Sequence, residues 1–571
     1  MFTIDGLIWM LLAVVLVFAA IQQAGDGKKQ MSDRTHRMVC CAALAVGVLV
    51  RLVKLSSLPA GISAEEALVG VQAKSLWQTG GFLFGQGMTT QLAQWEGETT
   101  GPLLAALTAP LVGLFGMNPW TVRLPLALLS CAAMPAAYGL GEAVSGRRAA
   151  RWMLILYAVC PIFVLEARLT CGSCATLYLL PIALCLLARG ISRPVELYSG
   201  MVVLALTAYA QNMYFFIAPA LIAACGAIAA VSGQKKRHAL LAAALGLLLC
   251  VPAVLTAYVN LTDAAGMTLL GMIRIPKLEE FEKAYLTEKL ARGTLGQTVL
   301  DKLWTVLTGG VFQVLRHENI DSGLFTPNGM LALFTVSLPL MTLGALALLA
   351  RLMDGRRVKG EKAAARAMVK AAFAVTLVCL VLFGSIGVLD YAGTTGLFDH
   401  SALILFDALL MTAGLCTMER KNLKCAAAMG ALLTVNFALL AAYLFGGSYQ
   451  QNANVYFAGF QQLSARAAQI QRETGAKINV TSNIYPHIQP DAGAEMMFLY
   501  ATDADMRAAE TERGERYEAA YMPEDMQLET ASLMRRAKAI RCCIPCKTKT
   551  SALRGKTGKL KAISPNSTNL C

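Results

Sequence analysis

The segment Leu58–Pro125, LPAGISAEEALVGVQAKSLWQTGGFLFGQGMTTQLAQWEGETTGPLLAALTAPLVGLFGMNPWTVRLP, decides how this chain is read. It is long and mostly polar, yet it follows an apolar run, VCCAALAVGVLV, and precedes another. Two adjacent carboxylates, Glu65 and Glu66, come soon after the first run. Taken by themselves they mark a helix start, where Ser63 caps and acids favour the positive end of the helix. Their address adds a second reading: a polar loop held at a membrane surface, where a lipid-borne headgroup is presented.

Working outward, the 571-residue chain is 56% hydrophobic and only 15% charged. Soluble domains run at roughly 45–50% and 25%. Stretches such as Ala239–Val259 approach or exceed the ~20 apolar residues that span a bilayer as a helix. Helices are then required, because lipid offers no partner to open backbone groups. The net charge of +14 is not a nucleic-acid signal, since much of it sits between Arg535 and Lys561, a basic stretch without an acid. Such a tail reads as solvated, with anionic headgroups as the alternative contact. Cys171/Cys174 and Cys543/Cys546 have CxxC spacing but no second pair or histidine cluster at metal-site distance, so neither a metal nor another cofactor is expected.

Loop charge orders the rest. Leu7–Ile21 is short and is followed by GDGKKQMSDRTHR. It is read as a retained extra helix, and the basic linker after it belongs inside by the positive-inside rule. The helix near 38–53 then runs outward, and Glu65 and Glu66 lie outside. If Gly101–Gly116 crossed the membrane, Arg147, Arg148 and Arg151 would fall outside. A surface helix there puts them inside. The same parity places VSGQKKRH, RLMDGRRVKGEKAAARAMVK and ERKNLK inside, and 259–328 becomes a second outer loop. Beyond Gly447, apolar residues at helical spacing and the alternating KINVTS suggest a small outer α/β domain.

Arg123 in WTVRLP and Arg168 in PIFVLEARLT stand at outer helix ends. Arginines there commonly snorkel to the interface. Two guanidiniums on one face also make a cradle for phosphate, with a bidentate geometry lysine lacks. Asp407 lies inside an apolar run, where an acid is either paired in the bundle interior or functional.

Taken together, LPAGISAEEALVGVQAKSLWQTGG, GPLLAALTAPLVGLFGMNPWTVRLP, GRRAARWMLILYAVCPIFVLEARLT and LTAYAQNMYFFIAP resemble glycosyltransferase family 39, the protein O-mannosyltransferase and lipid A aminoarabinose transferase relatives. The resemblance covers roughly residues 38–230. YQQNANVYFAGFQQLSARAAQI and VTSNIYPH also look like the outer C-terminal region of bacterial members. It implies the C-type glycosyltransferase fold and inverting transfer of one sugar from a polyprenyl-phosphate carrier. Glu65 and Glu66 match the family's catalytic Asp-Glu, with Glu65 in place of Asp. Arg123 and Arg168 match its phosphate-binding arginines, Tyr209 its later tyrosine. His400 stands with Asp399 and Asp407 in LFDHSALILFD, where the family often shows an Asn and an Arg, and is expected to bind substrate.

The expected architecture is an all-α polytopic membrane protein of about 12 transmembrane helices with outer surface helices. Residues 1–37 form the extra helix and linker. Residues 38–446 form the transferase domain, with outer loops at 55–120 and 259–328. Residues 447–534 form the small α/β domain, and 535–571 the tail. The expected partners are a polyprenyl-phosphate sugar, a protein, lipid or wall-polymer acceptor, and membrane lipids, with no nucleic acid. The expected location is the bacterial plasma membrane with the active site on its outer face. The rival readings are a transporter or lipid flippase, and a weak homologue that only binds the carrier. Against transport, the sequence lacks matched halves with interrupted helices.

Overall fold

The computed structural model describes residues 31–276 apart from 84–86, 94–98, 171–173, 212–213 and 263, then 337–353, 361–385 and 400–446, with scattered positions within 297–333 and 462–507. The expected Leu7–Ile21 helix, most of the α/β domain and the basic tail lie outside the described residues.

The first helix, α1 (Asp33–Leu52), starts where Ser32 Oγ accepts from the Thr35 amide at 3.2 Å. A connection then leads to α2 (Ala64–Thr79), β1 (Met88–Thr89), β2 (Leu92–Ala93), β3 (Thr99–Thr100) and α3 (Leu103–Phe115). From there long helices alternate: α4 (Pro119–Ser145), α5 (Arg147–Val159) with its short continuation α6 (Pro161–Leu165), α7 (Cys174–Arg189), α8 (Pro194–Leu206), α9 (Tyr214–Val231) and α10 (Lys236–Thr262). The strands β4 (Met267–Leu269) and β5 (Ile273–Ile275) follow, and α11 (Ser337–Met353), α12 (Glu361–Ser385), α13 (His400–Lys421) and α14 (Leu423–Phe445) complete the bundle.

Among the described residues, six helices are long and apolar enough to cross a membrane, or seven if Arg147–Val159 and Pro161–Arg168, bent by 60°, form one span. This is a multi-pass membrane protein. The count is below the expected twelve partly because Cys174–Arg189, Pro194–Tyr209 and Ser337–Leu349 are apolar but short. A 16-residue helix such as α7 reaches about 24 Å, less than the ~30 Å hydrocarbon core.

Polar contacts sort the helix ends into two groups. At one end Arg147 Nη1 meets Asp33 Oδ1 at 2.8 Å, Arg366 Nε donates to Val144 O at 2.7 Å, and Gln234 Nε2 donates to Gly190 O at 2.7 Å. This is the basic end, and it gathers loops that charge parity had put on one side. At the opposite, loop end the connections are longer. There β1 pairs in parallel with β5, which pairs antiparallel with β4, so Met88 faces Ile273 and Met267 faces Ile275. The two expected outer loops therefore meet in one small sheet. Thr90 Oγ1 and Thr256 Oγ1, 2.6 Å apart, tie it to α10.

Helix α3 begins and ends at the loop end. Gly101, just before it, lies against the backbone of Tyr209; a Cβ there would stand 2.1 Å from Tyr209 O, so no side chain fits. Past its end Asn118 caps α4, accepting from the amides of Trp120 and Thr121 at 3.0 and 3.1 Å. Leu107, Leu114 and Phe115 on α3 are exposed, as suits a helix lying along an apolar boundary.

Candidate active site

The site starts from the first turn of α2. Ser63 Oγ accepts from the Glu66 amide at 3.1 Å, and the Ser63 amide donates back to Glu66 Oε2 at 3.1 Å. This capping box satisfies two orphan donors reciprocally. It also turns the neighbouring carboxylates in opposite directions: Glu66 is buried, whereas Glu65 is exposed.

Glu66 is engaged on both oxygens. Oε1 accepts from Arg123 Nε at 2.7 Å and from the Thr170 amide at 3.3 Å, and Oε2 accepts from Arg123 Nη2 at 2.8 Å as well as from Ser63. Arg123, fully buried, also donates to the carbonyls of Leu55 and Pro59 through Nη1 at 3.1 and 2.9 Å, and to Gly61 O through Nη2 at 2.8 Å. Those bonds occupy all of the guanidinium's N–H donors.

A similar role falls to Arg168. It closes the 3₁₀ turn Glu166–Arg168, and its side chain is buried. Nη1 reaches Val50 O at 2.6 Å and Arg51 O at 3.2 Å; Nη2 reaches the carbonyls of Val53, Lys54 and Leu58 at 3.0, 3.1 and 2.9 Å. The last carbonyls of a helix have no partner within it, and here one arginine serves the end of α1 and the chain leaving it.

A third buried arginine, Arg51, was not among the expected site residues. Pro161 has no amide hydrogen to give the Tyr157 carbonyl, and the helix bends there. Arg51 Nη2 donates to Tyr157 O at 2.5 Å and Phe163 O at 2.8 Å, Nη1 to Gly47 O and Ala158 O at 2.9 and 3.2 Å, and Nε to Ser130 Oγ at 2.6 Å. It thereby holds α1 against the bend that delivers Arg168.

The two arginines expected to cradle phosphate are both held by the polar loop. Arg123 bonds to Glu66 and to the carbonyls of Leu55, Pro59 and Gly61, and Arg168 to the carbonyls of Val50, Arg51, Val53, Lys54 and Leu58, so both brace the chain between α1 and α2. A buried guanidinium is costly unless its donors are met, and the polar loop meets them. Glu66 has hydrogen bonds to both oxygens from Arg123, Ser63 and Thr170. Glu65 alone of the acidic pair is presented outward.

Tyr209 ends a 3₁₀ turn after α8, and its hydroxyl donates to Leu249 O at 2.6 Å, which ties α8 to α10. His400 begins α13, and its side chain lies outside the described residues. Asp407, two turns further along α13, is buried, with Oδ2 lacking a hydrogen-bond partner among the described residues. Glu166 was also missed by sequence reasoning; it opens the turn that carries Arg168, within electrostatic reach of Glu65. Its position in LEARLT was readable, but not its neighbour. Cys171 of the first CxxC lies outside the described residues. Among those described, no three His, Cys, Asp or Glu residues are grouped to hold a metal ion.

Residues 99–255 match the family profile of the dolichyl-phosphate-mannose-protein mannosyltransferases. Over these residues the chain is similar to that family. The matched portion contains Arg123, Arg168 and Tyr209 and begins after Glu65 and Glu66. Among solved structures, the chain is similar to the Archaeoglobus fulgidus oligosaccharyltransferase AglB in complex with an inhibitory peptide and a dolichol-phosphate. The identity is 14%, over 82% of this chain and 63% of that one, with a TM-score of 0.43. It is also similar to ArnT from Cupriavidus metallidurans bound to undecaprenyl phosphate, at 12% identity over 83% of this chain and 87% of that one, with a TM-score of 0.37. The chain thus spans less than two thirds of the archaeal enzyme. No curated protein matches it by sequence.

Proposed function

We propose that this protein is a membrane glycosyltransferase that moves one sugar from a polyprenyl-phosphate carrier to an acceptor hydroxyl at the loop end, by a single inverting displacement. The family 39 match supports the donor class. The observation that carries the site is the contrast within the acidic pair: Glu66 locked into Arg123, Ser63 and Thr170, and Glu65 exposed beside it. A general base must be fixed in place yet reach substrate. The Glu66 cluster fixes the turn, and Glu65 reaches out.

In this scheme the acceptor oxygen attacks the anomeric carbon, its proton passes to Glu65, and the bond from that carbon to the phosphate oxygen breaks. The electron pair leaves with the polyprenyl phosphate. Arg123 and Arg168 act by holding the loop, while the positive charge of Arg168 favours anionic groups nearby. By the charge parity of the loops, the loop end faces outward.

Reconstituted protein incubated with labelled polyprenyl-phosphate sugar tests this. Wild type is expected to release label from the lipid, and Glu65→Ala to abolish release. Glu65→Asp reports whether the longer side chain limits the rate, since a shift of ~1 Å can cost on the order of 100-fold. Lipid binding without release in wild type and every variant would leave a carrier-binding protein instead. Lipid flipping that depends on Asp407 would establish the transporter.

A further inference from the structure

Far along the chain a short C-terminal segment returns to α2. Lys74 Nζ donates to Asp503 O at 2.8 Å and pairs with Asp503 Oδ1 at 2.6 Å. The Met506 amide donates to Gln78 Oε1 at 3.0 Å, and Arg507 Nη2 to Gln78 O at 2.7 Å. These bonds lie on the second half of α2, beyond the capping box.

Tyr500 and Met506 are the buried members of the segment among the described residues. Tyr500 is 5% exposed, and its ring lies against Gly70, one turn after Glu66 on the same side of α2. A Cβ built on Gly70 would meet Tyr500 Cε2 and Val122 Cγ2 each at 3.1 Å, so the missing side chain makes room for the ring. Val122 precedes Arg123, and the tyrosine therefore sits over the Glu66–Arg123 pair. Burial raises the ionisation of its phenol above the ordinary range, and Glu66 raises it further. The phenol stays protonated. Its hydroxyl is buried without a hydrogen-bond partner among the described residues. A buried hydroxyl left without a partner is destabilising. Glu66 is already occupied by Arg123, Ser63 and Thr170.

We propose that Tyr500 is a positioning residue of the transfer site: its ring seals the Glu66–Arg123 pair from water, and its hydroxyl donates to a phosphate or sugar oxygen of the incoming donor. The inference rests on the glycosyltransferase reading for its ligand, while the sealing role is independent of it. It brings the C-terminal segment into the site, although that segment lies outside the matched residues 99–255.

The test uses full-length protein in nanodiscs and two variants. Tyr500→Phe keeps the ring; it should leave amide hydrogen exchange at Ala67 and Thr170 as in wild type while lowering kcat/KM about tenfold. Tyr500→Ala removes the seal and should speed exchange at both amides. Binding of polyprenyl phosphate and of polyprenyl-phosphate sugar, measured separately, identifies the oxygen: weakening by Tyr500→Phe of both points to phosphate, and of the sugar-bearing lipid alone to the sugar. Wild-type kcat/KM and lipid binding in Tyr500→Phe would overturn the donor role, and unchanged exchange in Tyr500→Ala would overturn the seal. A wild type that transfers nothing would defeat the glycosyltransferase reading, with exchange and lipid binding still reporting on Tyr500.

Discussion

Arginine–glutamate pairs are buried at both ends of the bundle, and they are built differently. At the loop end, Glu66–Arg123 is surrounded by backbone: the carbonyls of Leu55, Pro59 and Gly61 and the amides of Ser63 and Thr170. At the basic end, Glu419 is surrounded by side chains. It pairs with Arg151, accepts from Trp152 Nε1 at 2.8 Å and has Arg148 Nε at 3.6 Å. Arg151 in turn reaches His36 Nδ1 at 3.4 Å, and His36 Nε2 lies 3.2 Å from the Tyr138 hydroxyl. One pair shapes a loop; the other staples helices α1, α4, α5 and α13. The loop pair also has an exposed acid next to it in Glu65. Buried charge alone therefore does not say what a pair is for; what the pair holds is the difference between the two ends.

Arg123→Ala should have the largest effect. It leaves the Glu66 carboxylate buried without its ion partner and strips three loop carbonyls, a loss of about 3–5 kcal/mol by analogy with broken buried pairs. Thermal unfolding in detergent should show the loss, and label release should fall to background. Arg151→Ala should destabilise by a similar amount while the properly folded fraction still releases label. Equal loss of turnover per folded molecule in both variants would erase the distinction between the two ends.

Glu65→Ala comes next and separates the two effects. An exposed residue on a helix contributes within about 0.5 kcal/mol to stability, so unfolding should match wild type while label release disappears. If Glu65→Ala instead transferred sugar normally, the base would have to be sought elsewhere at the loop end, with Glu166 in the turn before Arg168 the first candidate.

How much of this was readable in the sequence differs between the ends. The Ser63-x-x-Glu66 spacing announces a capping box, and Arg123 and Arg168 stand out by their place beside apolar runs. Loop charge alone also put the two polar loops on one side, where β1 and β5 pair. Their hydrogen-bond partners were not readable, because an arginine's partners depend on which carbonyls are left open. For Arg51 that follows from the Pro161 bend, and for Arg168 from where α1 stops. Both are outcomes of packing between segments more than a hundred residues apart. Glu419 looked like an ordinary charge in the inner loop ERKNLK, since burial against Arg151 and Trp152 leaves no periodic trace. Tyr500 carried no signal either; Gly70 makes space for it, but a glycine in a helix does not name its neighbour.

The smallest expected effects compare the supporting bonds at the two ends. Trp152→Phe removes one donor to Glu419, and Ser63→Ala removes one side of the capping box that orients Glu66. A hydrogen bond to a charged group is worth roughly 1.5–3 kcal/mol, and an N-cap about 1 kcal/mol, so Trp152→Phe should lower the unfolding temperature more. Turnover should rank them the other way. Arg151 and Arg148 still hold Glu419 after Trp152→Phe, and nothing at the loop end moves. Ser63→Ala frees the first turn of α2, on which Glu65 is carried, and a base displaced by a fraction of an ångström loses rate before the protein loses stability. The two variants measured side by side should therefore cross over, the more stable one being the slower.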